Sequence, residues 1–188
     1  MLKIKNIGLA ILLAVVSVGI ACDGQLNEAN KLIDEANAAI TKNNELTTKV
    51  NALTTELLGT EALKKAEDME KYKTDNKAKF DELIKLNEDL AKGQEEAASK
   101  FDQVSKMKVD DKFKEYNSLK AQELKKGAEI SKADAAFTKA FLAEKDDEKL
   151  NGLITDSNKK AADMKKEADG FKEKAEKIVK DNPSLFGK

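Results

Sequence analysis

Cysteine occurs once in this chain, at Cys22, and histidine does not occur. Without histidine there is no Ser–His or Cys–His nucleophilic device, and the usual zinc ligand sets are missing. One thiol cannot close an intrachain disulfide. Two Ser-x-x-Lys spacings, Ser105/Lys108 and Ser157/Lys160, place a hydroxyl and an amine about one helical turn apart. A serine nucleophile of that type comes with companion Ser-Asp-Asn and Lys-Thr-Gly segments, and neither is present. The acidic doublets Asp110-Asp111 and Asp146-Asp147 lack the glycine and late glutamate of a calcium loop, and they read as helix caps. Four polar residues, Asn43, Asn76, Asn87 and Gln94, fall on or beside apolar seams. They either fix helix register or line a ligand pocket, and register is the ordinary use of a polar seam residue. None of these sets makes a catalytic, cofactor or metal site, so the expectation is a protein that is not an enzyme.

Composition narrows the class further. All the cationic residues are lysine, 34 of them against 35 acids, and there is no arginine. Lysine lacks the planar fork that reads phosphates and base edges, and a balanced charge offers nucleic acid no attractive field. No nucleic-acid partner is expected. Aromatics are 5% and charged residues 37% of the chain, a palette of long, solvent-exposed helices. Proline occurs once, at Pro183, so almost nothing interrupts a helix before it.

The N-terminus has its own logic. Lys3 and Lys5 precede an apolar run of 15 residues, Ile7 to Ala21, with Ser17 its only hydroxyl. A membrane-spanning helix needs about 20 apolar residues, so this run has the length of a signal-peptide core. Val18-Gly19-Ile20-Ala21-Cys22 resembles the lipobox of bacterial lipoproteins, with Gly19 where that family most often has leucine. The resemblance covers residues 1–22. It implies cleavage between Ala21 and Cys22, lipid attachment to the Cys22 thiol, and palmitate or similar acyl chains as the membrane anchor. Two or three such chains hold a protein stably where one does not. Asp23 resembles the inner-membrane retention signal of enterobacterial lipoproteins. Cleavage removes Lys3 and Lys5 and no acid, leaving a net charge of about −3, so lipid rather than charge would hold the mature chain.

The elements behind this anchor are helices. From Ala29, steps of three and four reach Leu32, Ala36, Ala39, Asn43, Leu46, Val50, Leu53 and Leu57 before Gly59 ends the run. Thr60 is a candidate cap for a second helix carrying Ala62 to Val104, with Gly93 a candidate kink. Asp110 or Asp111 caps a third, with Leu119, Ile130 and Phe141 spaced by 11. A fourth runs from Leu150 to Ile178 and stops at Asn182-Pro183. The predicted lengths are about 35, 47, 35 and 34 residues. Outer faces carry acid-to-lysine i,i+4 spacings such as Glu61/Lys65, Asp81/Lys85, Glu88/Lys92 and Glu96/Lys100.

The expectation is an all-α fold: an elongated antiparallel bundle of about four long helices with coiled-coil-like packing. Its parts would be a signal peptide (1–21), a lipid-anchored lead (22–25), the bundle (26–181) and a flexible tail (182–188). The layout resembles cell-wall-binding helical lipoproteins of Gram-positive bacteria, sharing organisation and no motif beyond Cys22. The function expected is a non-catalytic envelope spacer or interaction module. Its membrane contact is the lipid on Cys22, its partner a protein or the cell wall, and its oligomeric state open. The expected address is the outer face of the cytoplasmic membrane or the periplasm, with the cell surface or outer membrane as the other placements. The alternatives are a host-facing surface lipoprotein, serving as adhesin or in immune evasion, and a small-ligand carrier between helices. A terminal lysine, Lys188, resembles the peptidoglycan link of the major outer-membrane lipoprotein of enteric bacteria, although this chain is far longer.

Overall fold

A computed structural model describes residues 24–66 and 68–187, and every regular element among them is a helix. Six α-helices follow one another: α1 (Gly24–Leu58), α2 (Thr60–Lys65), α3 (Met69–Asp75), α4 (Lys77–Ser105), α5 (Asp111–Ala143) and α6 (Asp147–Asp181). A 3-10 turn, Pro183–Phe186, closes the chain. Ala21, Cys22, Asp23 and Lys188 lie outside the described residues.

The seam spacing explains the packing. The buried row of α4 is Phe80, Leu83, Asn87, Leu90, Gln94, Ala97, Phe101 and Val104, in strict alternating steps of three and four. That 3.5-residue period keeps one stripe against a neighbouring helix along the whole length. The stripe on α6 is narrower, with Ala161, Ala168 and Ala175 seven apart. Alanine at those positions lets backbones approach closely. Helix α5 buries two stripes rather than one, because it lies between α4 and α6. The extensive contacts are α1 with α4, α4 with α5, and α5 with α6.

Cross-helix ion pairs set the register. Glu88–Lys139, Glu95–Lys132 and Asp102–Lys125 descend α5 as they climb α4. Glu35–Lys100 and Glu56–Lys79 do the same between α1 and α4. Glu88, expected to pair with Lys92 on its own helix, is used between helices instead, and Lys100 pairs with Glu35 rather than Glu96. These pairs are solvent-exposed, so each is worth only about 0–1 kcal/mol. Their main effect is to favour one alignment.

The core falls into two clusters. One surrounds Ile33, Phe101, Val104, Phe113 and Leu124, near the start of α1. The other surrounds Leu57, Phe80, Leu83, Phe141 and Leu150, near its end. At 1.5 Å per residue, the 35 residues of α1 put these ends roughly 50 Å apart.

Helix ends follow local chemistry. Asp110 accepts from the backbone N–H of Lys112 and Phe113, and Asp146 from those of Glu148 and Lys149. Both doublets are caps. Other expectations are corrected. The single helix from 60 to about 107 is three, because Asp68 caps α3 through the Lys71 N–H and Asn76 donates its amide back to the Tyr72 carbonyl. The cap before α2 is Gly59, with Thr60 already helical. Gly93 does not end its helix, since α4 runs unbroken through it. Gly24 and Gln25, placed in the expected lead, are helical within α1. The tail is not loose throughout: Phe186 is buried, 5.0 Å from the Tyr116 ring and 6.0 Å from Phe113.

Candidate functional site

Three places depart from plain apolar packing. The first is a polar waist between the two core clusters. Gln94 on α4 accepts a hydrogen bond from the Ser131 hydroxyl on α5 at 3.1 Å. Asn87 donates to the Leu83 carbonyl of its own helix at 3.1 Å. Asn43 on α1 is 6% exposed, and its amide nitrogen has no hydrogen-bond partner. Its side chain occupies the notch left by Gly93: a Cβ there would lie 2.1 Å from Asn43 Oδ1. The glycine is thus kept for close approach of α1 to α4, a reason legible only once the facing residue is known. Asn76 is elsewhere, as the cap of α3.

The second is a set of buried ionisable groups on α5. Lys120 and Glu123 are both nearly inaccessible and pair at 2.5 Å, one turn apart. Burial pulls the Lys120 amine below its ordinary value, against the opposing pull of Glu123. Burial, with the charges of Glu123 and Glu176, pushes the Tyr116 hydroxyl up. Farther along α5, desolvation alone pushes the Asp134 carboxyl up to about 7. Asp134 is half-buried, and this partial desolvation favours its neutral form.

The third is at the end of the bundle where α1 finishes. A cavity of about 400 Å³ lies between α2, α3, the end of α5 and the start of α6. Leu63, Ala66, Met69, Phe141, Leu150 and Ile154 line it. Thr60, Lys64, Asp147 and Asn151 supply the polar part of its wall. Helix α3 is pinned beside it twice. The Tyr72 hydroxyl donates to the Leu57 carbonyl at 2.9 Å. The buried Lys73 amine donates to the Glu144 carbonyl, lies 3.3 Å from Glu70, and sits 5.3 Å from the Phe141 ring centre. Phe141 is held further by Phe80 at 5.6 Å and Phe137 at 6.1 Å.

The four seam residues predicted from sequence do not converge. Asn43, Asn87 and Gln94 are buried in the waist, Asn76 is not, and none lines the cavity. The cavity walls, Lys73, Lys120, Glu123 and Asp134 went unnoticed. An i,i+3 Lys–Glu spacing looks the same in sequence whether it faces water or core. Of the Ser-x-x-Lys serines, Ser105 donates its hydroxyl to the Asp102 carbonyl at the end of α4. Among the described residues no cluster of three or more His, Cys, Asp or Glu could hold a metal ion, and no helix is long and apolar enough to cross a membrane. Comparison with protein-family models, with curated proteins and with solved structures finds no match for the chain.

Proposed function

We propose that this chain is a lipid-anchored bacterial envelope lipoprotein. It acts as a non-catalytic helical spacer or interaction module, with Cys22 as the lipidated residue and the cell wall or a protein as partner. The observation that carries the reading is the length of helix behind Cys22: α1 alone runs 35 residues, Gly24–Leu58, roughly 50 Å. The opposite end of the bundle, with α2, α3 and the α5–α6 turn, would then stand roughly 50 Å from the bilayer surface. The proposed architecture is an elongated antiparallel bundle with coiled-coil-like packing. The heptad row of α4 and the descending ion pairs between α4 and α5 support it. A lysine- and glutamate-coated exterior suits a stalk in water.

The test is crosslinking in intact cells followed by mass spectrometry, run beside protease shaving. A spacer of the envelope interior survives shaving and yields crosslinks to cell wall or envelope proteins from residues near 59–76 and 143–150. Loss of the protein on shaving would instead favour the host-facing alternative. A chain recovered uncrosslinked and soluble after lysis would overturn both.

A further inference from the structure

The cavity at the far end is the strongest unassigned feature, because its walls are held open and its cover is not packed down. Phe141 is fixed on one side by Phe80, Phe137 and Lys73, and α3 is tied to α1 and to the α5–α6 turn through Tyr72 and Lys73. The wall therefore cannot simply collapse into the space. Helix α2, which covers it, buries none of its six residues and is set off by breaks at Gly59 and Ala66. Leu63 and Met69 stay only partly buried against the cluster below. The space is half open, and apolar wall facing water there gains free energy when a guest covers it.

The size and polarity of the space specify the guest. At about 30 Å³ per small group, 400 Å³ holds roughly a dozen non-hydrogen atoms, within the range of small-molecule sites. That is too small for a helical segment of another protein. Six of the lining side chains are apolar, so the body of the guest is apolar. The wall charges have opposite signs, Lys64 and Asp147, and the Lys64 amine is already engaged by Glu61 at 2.9 Å. With one charge of each sign, the wall offers an ion no net field. Asn151 offers an amide for one hydrogen bond. We infer that the cavity under α2 binds a neutral, mainly apolar small molecule of about a dozen non-hydrogen atoms with a single hydrogen-bonding end, an aromatic alcohol being the type. This goes beyond the spacer reading and holds whether or not Cys22 carries lipid.

The test is photolabelling of the full chain with trifluoromethylphenyl diazirine, with labelled peptides mapped by mass spectrometry. The expected result is saturable labelling of residues 60–72 and 139–155, suppressed by 1-naphthol and not by decanoate. Ala66→Phe fills the space from the cover and should lower that labelling at least about tenfold, a loss of about 1.4 kcal/mol in binding. Ile154→Phe fills it from the floor and should do the same, so the inference does not depend on one variant folding. Circular dichroism checks each variant for helix. Non-saturable labelling, labelling confined to residues 1–23, equal labelling in both folded variants, or suppression by decanoate in preference to 1-naphthol would each overturn it.

Discussion

Replacing Gly93 by alanine should destabilise this protein, although the same change in a free helix would stabilise it. Alanine in a helix interior is favoured over glycine by about 1 kcal/mol. Against that, the new Cβ would sit 2.1 Å from Asn43 Oδ1, 3.0 Å from its Cγ and 3.1 Å from its Nδ2. An ordinary carbon–oxygen contact is about 3.3 Å or more, so Asn43 must move by more than about 1 Å. It is buried between α1 and α4, with little room to turn. A strained rotamer costs about 0.5–1.5 kcal/mol and overpacking about 1–3 kcal/mol. The net expected for Gly93→Ala is a loss of about 1–2 kcal/mol. In an Asn43→Ala background the obstruction is gone, and the same substitution should gain about 1 kcal/mol. The coupling between the two sites is then about 2–3 kcal/mol. Urea unfolding followed by far-ultraviolet circular dichroism on the four proteins of the cycle measures it. Gly93→Ala stabilising the chain with Asn43 present, or a coupling under about 0.5 kcal/mol, would refute the notch.

Other substitutions probe the buried charges and the chain end. Asp134 has a folded pKa raised from 3.8 to about 7, so the folded state holds the extra proton between those values. Stability should therefore fall as pH rises from about 4 to 7 and stay lower above it, by at most about 4 kcal/mol and by about 2 kcal/mol allowing for partial solvent contact. Asp134→Asn should remove that part of the slope, read from unfolding midpoints at acid and alkaline pH; an unchanged slope would contradict the desolvated, half-buried carboxyl. Lys120→Met leaves Glu123 buried alone and should cost about 3–5 kcal/mol, while Lys120→Met with Glu123→Leu should recover most of it in the same urea assay. Phe186→Ala empties the space against Tyr116 and Phe113 and should cost about 3 kcal/mol, whereas a free tail would lose nothing.

What the sequence showed best was governed by neighbours in the chain. Gly59, Asp110, Asp146 and Pro183 mark their helix ends because capping and proline effects act within one turn. The breaks around α3 were invisible because Ala62, Ala66, Met69 and Tyr72 continue a helical spacing. The break is reinforced across the fold, by Tyr72 reaching Leu57 and Lys73 reaching Glu144. Gly93 was noticed for its backbone freedom, yet its use depends on Asn43, fifty positions earlier. Phe186 follows the only proline and reads from sequence as part of a flexible tail, but its ring completes a cluster begun at Phe113. The cavity needs four elements to converge, and no local pattern announces that.

The central claim concerns Cys22, and intact mass spectrometry of the protein taken from native membranes addresses it most directly. A lipid-anchored spacer predicts a chain that begins at Cys22, heavier than the unmodified mature sequence by a thioether-linked diacylglycerol, with no free thiol. A chain that retains residues 1–21, or one with an unmodified Cys22 thiol, would contradict it.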